Sequence, residues 1–192
     1  MQAFDYVMTL MSFVYALAVA HILATVGDVV GAWSRVRFSW LNAAWMLFAL
    51  FGILAWWIGL WGLRRTSAWS MAEVTEQFVI AALLYLEARM VCVKVAPDGP
   101  VDMMQRHKEE VRKYAVVYAV LAAATIVFNM LWTGSRGFDP LDIAVKNFAV
   151  LAIFMLSAAG AIFSGRRAQA SVAIGLSGTW LWYFGTLQGA LA

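Results

Sequence analysis

An all-α fold, a polytopic membrane bundle of about six transmembrane helices, is predicted by three features of the sequence. Hydrophobic residues fill 64% of the 192 positions and charged residues only 13%, with a mean hydropathy of +0.77. A soluble domain has roughly half apolar and a quarter charged residues, and a chain this short cannot hide the excess inside one core. Apolar stretches of about 20 residues recur between charged or Gly/Pro-containing breaks, which is the length that crosses a hydrocarbon core. No stretch alternates with period two over the roughly ten residues of a barrel strand, so the spans are helical.

The first span covers 4–33 and stops at Ser34-Arg35-Val36-Arg37; the second covers 40–63 and stops at Arg64-Arg65. The third covers 70–94, and Ser70-Met71-Ala72-Glu73 at its start has the capping-box pattern that satisfies free amides. Ala96-Pro97-Asp98-Gly99-Pro100 follows, a strong breaker with two prolines around an Asp-Gly turn. The fourth span covers 114–132, the fifth 140–163, opened by Asp139-Pro140, and the sixth 170–187. All six form one transmembrane domain over 1–192. Ala18-Val19-Ala20 looks like a leader cleavage site, but the start MQAFD has no Lys or Arg and carries Asp5, so the first stretch is expected to remain as a span.

Orientation follows from the loop cations. Arg35, Arg37, Lys94, Arg106, Lys108, Arg112, Lys113, Arg166 and Arg167 follow spans one, three and five; Arg64, Arg65 and Arg136 lie on the other side. The first set therefore faces the cytoplasm, and both termini face away from it. Trp33, Trp40, Trp61, Trp69 and Trp132 stand at span ends, where amphipathic rings prefer the headgroup level. The charged segment 101–113 reads either as an amphipathic linker at the cytoplasmic surface, with Arg106, Lys108, Arg112 and Lys113 on lipid headgroups, or as a solvated extension of the fourth helix. Basic residues confined to short interhelical segments give no nucleic-acid face. Cys92 is the single cysteine, which excludes an intramolecular disulfide and a cysteine-rich metal site.

Ionisable residues at membrane depth are costly, so each is a functional candidate until a partner explains it. His21, Thr25 and Asp28 lie at i, i+4, i+7 on one face of the first helix, a stripe able to relay protons or a cation; otherwise His21 bonds a neighbouring helix while Asp28 pairs with Arg89 or Arg35. Glu73, Glu76 and Glu87 share a face of the third helix; Glu73 and Glu76 also suit its positive end, which leaves Glu87 without a ready explanation. Asp142 and Lys146 form an i, i+4 pair. The polar-route candidates are thus His21, Thr25, Asp28, Glu76 and Glu87. Small residues Ala20, Ala24, Gly27 and Gly31, repeated as Gly185 and Gly189, have the spacing that lets helix backbones approach, within a chain or between chains.

Neither a resident cofactor nor a metal is expected. Haem held across a bundle needs two axial ligands, and only His21 is at depth; a retinal lysine would lie mid-membrane, whereas Lys146 is near a helix end. Gly175-Leu176-Ser177-Gly178 matches the GxSG of rhomboid-type intramembrane proteases, but His21 precedes this serine, the reverse of that family's order, so no catalytic residue is assigned.

Phe4-Asp5-Tyr6-Val7, Ala18 to Leu23, Trp45, Trp56-Trp57 and Tyr85-Leu86-Glu87-Ala88-Arg89 together resemble a group of small uncharacterised multi-pass inner-membrane proteins of proteobacteria. The resemblance implies a bacterial inner membrane and carries no activity with it. Splitting the chain at Pro97 to Pro100 gives two halves of three spans, in which Trp33, Arg37 and Phe38 recur as Trp132, Arg136 and Phe138. That spacing fits an inverted repeat of the transporter kind, or simply interfacial residues at equivalent helix ends. The expected function is a small oligomeric transporter or ion-conducting protein. The alternatives are a structural or accessory subunit of a larger membrane complex, and third an intramembrane enzyme.

Overall fold

The computed structural model describes residues 3–64, 69–96, 98–134 and 140–187. Its six α-helices are α1 (Ala3–Gly31), α2 (Trp40–Leu60), α3 (Met71–Val91), α4 (Met103–Gly134), α5 (Pro140–Ile162) and α6 (Arg166–Leu187). Three stretches are long and apolar enough to cross a membrane: Phe4–Gly31, Trp40–Leu60 and Met103–Leu131. In α3 the apolar run is interrupted by Glu73, Glu76, Glu87 and Arg89, and α6 opens on Arg166, Arg167 and Gln169. Large apolar side chains stand on the outside, Phe13 at 68% and Leu181 at 75% exposure among them. Water would penalise such a surface and lipid would not, so the fold is that of a membrane protein.

The helices fall into two compact units, 1–109 and 110–192. In the first, α1 buries Phe4, Val7, Met11, Tyr15, Ala18, Ile22, Thr25 and Val29, a 3-4 spacing that keeps one stripe inward along its length. Gln77, Ile80, Ala81, Leu84, Glu87, Ala88 and Val91 do the same on α3. α2 carries no titratable side chain and packs on both. Phe4 meets Trp69, with ring centroids 6.4 Å apart, and His21 meets Arg89, so α1 and α3 run in the same direction. Asn42 bonds the Val91 carbonyl at 3.1 Å and Trp56 bonds Gln77 at 3.1 Å, which sets α2 antiparallel to α3.

Helix ends follow local chemistry. Ser39 Oγ accepts from the Asn42 amide at the start of α2. The capping box of α3 is present in both halves: the Ser70 amide donates to Glu73 Oε2 at 2.7 Å, and the Glu73 amide to Ser70 Oγ at 3.2 Å. A two-residue parallel ladder pairs Val36 with Val101 and Arg37 with Asp102. Arg35 Nη1 donates to the Gly99 carbonyl at 2.8 Å, Arg37 meets Asp102 at 3.2 Å, and Asp102 Oδ1 accepts from the Gln105 amide at the start of α4. Gly99, at φ 111°, makes the turn that brings its carbonyl round. The α1–α2 loop and the α3–α4 linker are thereby clasped at one end of the unit, over a small core of Val29, Val93, Val101 and Met103.

Of the two readings of the charged segment 101–113, the helix agrees with the extension of the fourth span: from Met103 it is the opening of the continuous 32-residue α4, because Asp102 supplies the cap that starts the helix there. The compact units also divide inside α4, at Glu109–Glu110, and not at the Pro97 to Pro100 break.

In the second unit α5 packs on α6. Gln169 Nε2 of α6 donates to the carbonyls of Gly160 at 2.7 Å and Phe163 at 2.6 Å, satisfying the end of α5. Trp180 Nε1 donates to the Tyr118 hydroxyl at 3.0 Å, and Asn129 Nδ2 to Asn147 Oδ1 at 2.8 Å. These are the polar interhelical contacts expected in a lipid-embedded bundle.

Candidate functional site

Glu87 is 0% exposed on the inner face of α3, four residues before that helix ends. Neither carboxyl oxygen has a hydrogen-bond partner. The apolar rows of α1 and α2 put it there: a 3-4 stripe on α3 must face them, and Glu87 occupies one position of that stripe. An ionised carboxylate left alone in such surroundings costs several kcal/mol. A group so placed holds a proton or meets a cation.

One turn further on, the end of α3 is well provided. Asn42 Nδ2 takes the Val91 carbonyl, and Arg106 Nη2 takes the Met90 carbonyl at 3.4 Å, a cation at the negative end of a helix. Asn42 is 0% exposed and its Oδ1 has no partner; Arg106 Nε is likewise buried without one. Arg106, expected on lipid headgroups with Lys108, Arg112 and Lys113, is instead turned half inward because the α3 carbonyls need a donor. The other three are exposed, and Lys113 pairs with Glu110 at 2.9 Å.

Of the His21–Thr25–Asp28 stripe, Thr25 alone is buried. His21 is half-buried, with Arg89 Nη1 3.4 Å from each ring nitrogen, and Arg89 itself is exposed. Thr25 is buried, its hydroxyl donating to the His21 carbonyl at 3.0 Å. Asp28 is exposed. Glu76 is half-buried near the start of α3, where Glu73 closes the cap. The side chains of Asp142 and Lys146, and all of Gly189, lie outside the described residues.

Among the described residues of the 1–109 unit, none covers the small-residue face of α1. Ala20, Ala24, Gly27 and Gly31 are exposed, and a Cβ added at Gly27 or Gly31 would meet nothing within 4 Å; the same holds at Gly185. The close contact is at Gly175, where a Cβ would lie 2.9 Å from Leu156 Cδ2. Gly175 thus serves α5–α6 packing. Ser177 next to it is exposed and donates its hydroxyl to the Ala173 carbonyl at 2.8 Å. The 110–192 unit contains no histidine, so it supplies that serine with no imidazole base.

Sequence reasoning passed over Tyr15 and Asn42, both buried with an oxygen that has no partner, and the buried Gln77 and Gln169. Each is a polar side chain within an apolar helix, and that signal is shared by ordinary interhelical bonding. No group of three or more His, Cys, Asp or Glu able to hold a metal ion occurs among the described residues. Comparison with protein families, curated proteins and solved structures finds no match to this chain.

Proposed function

We propose that this chain is a small oligomeric transporter or ion-conducting protein of a bacterial inner membrane, with six spans and both termini on the non-cytoplasmic side. The observation that carries the reading is the Glu87 carboxyl, fully buried and without a hydrogen-bond partner. A fold gains nothing from such a group, whereas a membrane protein that moves ions uses it as a place where charge is taken up and released. The topology draws support from the clasp, which holds the Arg35–Arg37 loop and the cationic 101–113 segment at one end of the first unit, the side to which the loop cations assign the cytoplasm. A chain of 192 residues encloses little volume, which favours an oligomer.

Purified protein in liposomes, assayed for proton, sodium and potassium flux, tests the reading. Wild type is expected to carry at least one of these ions, and Glu87→Gln to carry it at a tenth of that rate or less. Absence of all three fluxes from well-assembled protein would overturn it.

The second reading, an accessory subunit of a larger membrane complex, is favoured by the uncovered small-residue face of α1 and by the His21–Arg89 contact, which binds two helices together. Under that reading flux is absent and the chain copurifies with a partner through α1.

A further inference from the structure

We propose that the interior of the three-helix unit is a proton path, with Glu87 as the group that carries the proton and Tyr15 and Asn42 on either side of it along the bundle axis. The proposal rests on the conducting reading above and names its ion and its route.

Among the described residues of this unit, the buried side-chain oxygens without a hydrogen-bond partner belong to Tyr15, Asn42 and Glu87, one from each helix. Their levels follow from the contacts that fix the helix register. Asn42 sits at the last residue of α3, against the Val91 carbonyl, and Glu87 is one turn earlier. Between the Phe4–Trp69 and His21–Arg89 contacts, Tyr15 falls about one and a half turns before Glu87. Gln77, bonded to Trp56, continues the series towards the start of α3. From Gln77 to Val91 this is roughly 21 Å of helix rise, most of the thickness of a hydrocarbon core of about 30 Å.

The spacing decides which ion. A hard metal cation needs six or more oxygens around one point at about 2.3–2.6 Å, and oxygens at successive levels of three helices cannot supply them together. A proton needs one acceptor at a time. A carboxyl, a hydroxyl and a carboxamide, about one to one and a half turns apart, are steps that one or two water molecules bridge, and each retains an unused lone pair for such a water. A proton also resolves the placement of Glu87, because the neutral acid is far cheaper to bury than the carboxylate.

The surrounding charges leave this path clear. α2 brings no titratable group to it. On α1, His21 is engaged with Arg89 at the rim, and Asp28 is exposed. On α3, Glu76 is half-buried at the far end, and Glu73 is in the cap. From α4, Arg106 reaches the Met90 carbonyl, level with Asn42 and three residues past Glu87 on α3, and His107 beside it in sequence is buried.

The test uses the full chain in liposomes under an imposed pH gradient, with sodium and potassium flux measured in parallel. Wild type should move protons and neither metal cation. Glu87→Gln should lose at least nine-tenths of the rate and Tyr15→Phe should slow it several-fold, whereas His21→Gln and Asp28→Asn should leave it within a factor of two. A lipid-soluble carbodiimide, which attacks protonated carboxyls, should block wild-type flux and add its mass to the peptide containing Glu87, so the result does not depend on any variant folding. Proton flux that survives Glu87→Gln or the carbodiimide, or flux of sodium or potassium in place of protons, overturns the path and leaves the conducting reading standing. Absence of all three fluxes overturns both.

Discussion

At Glu87 stability and function should pull apart. Replacing an unpaired buried carboxyl by an apolar residue of similar size removes a desolvation penalty of about 1–3 kcal/mol. Glu87→Leu is therefore expected to resist SDS or thermal unfolding as well as wild type or better, while losing flux. Asn42→Leu should go the other way, because its Nδ2 holds the Val91 carbonyl, and leaving that buried acceptor bare costs about 1–3 kcal/mol. A Glu87→Leu protein that unfolds more easily than wild type would make the carboxyl a structural group. Outside the spans, the Gln105 amide, followed by the Arg37 guanidinium, holds the Asp102 carboxyl below its ordinary 3.8. An acid lowered by folding adds stability above its ordinary pKa and loses it as pH falls through the lowered value. The clasp should thus be intact at neutral pH and loosen only below about pH 3.8. Hydrogen exchange of the amides of residues 101–105 against pH reads this directly, and Asp102→Asn should flatten the acid step.

In the second unit a side chain closes a helix end. Gln169 is 1% exposed and gives its amide hydrogens to the Gly160 and Phe163 carbonyls at the end of α5. Gln169→Leu should lower stability by about 2 kcal/mol, roughly one buried acceptor's desolvation, measured as a shift in SDS unfolding. Glycine matters by position. At Gly175 the nearest atoms are the flexible end of Leu156, so Gly175→Ala should be absorbed by a small shift of that side chain, whereas Gly175→Leu overpacks the α5–α6 contact by about 1–3 kcal/mol. At Gly27 an added Cβ meets nothing within 4 Å among the described residues, so Gly27→Leu should leave monomer stability unchanged. A loss of oligomer in detergent on Gly27→Leu would place the α1 face between copies; unchanged assembly would mean that the face meets lipid.

For the molecule as a whole, the clasp makes the topology testable in pairs. With Cys92 replaced by Ser, cysteines introduced at the exposed positions Ser34 and Asp98 must react from the same side of the membrane, since Arg35 and Arg37 tie the two segments together. Both should be protected in intact cells and labelled after the membrane is opened, with a cysteine near either terminus labelled from outside. Labelling of Ser34→Cys and Asp98→Cys on opposite sides would break the fold of the first unit. Labelling of both from outside would keep that fold and reverse its orientation.

Composition and the length of apolar runs were enough to establish helices, their approximate ends and a membrane setting, because each depends on residues close in sequence: an apolar run of about 20 residues, a Ser70–Glu73 box, a breaker at Pro97 to Pro100. The same reasoning singled out Glu87 as unexplained but grouped it with His21 and Asp28, because helical spacing says which residues share a face and nothing about what that face meets. Tertiary packing decided the rest. It turned His21 towards Arg89 and Asp28 outward, sealed Glu87 between three helices, drew Arg106 in to cap α3, and left the glycine stripe of α1 uncovered. A polar side chain in an apolar helix has the same local signature whether it is satisfied or stranded. Only the positions of neighbouring helices determine whether a partner is within reach.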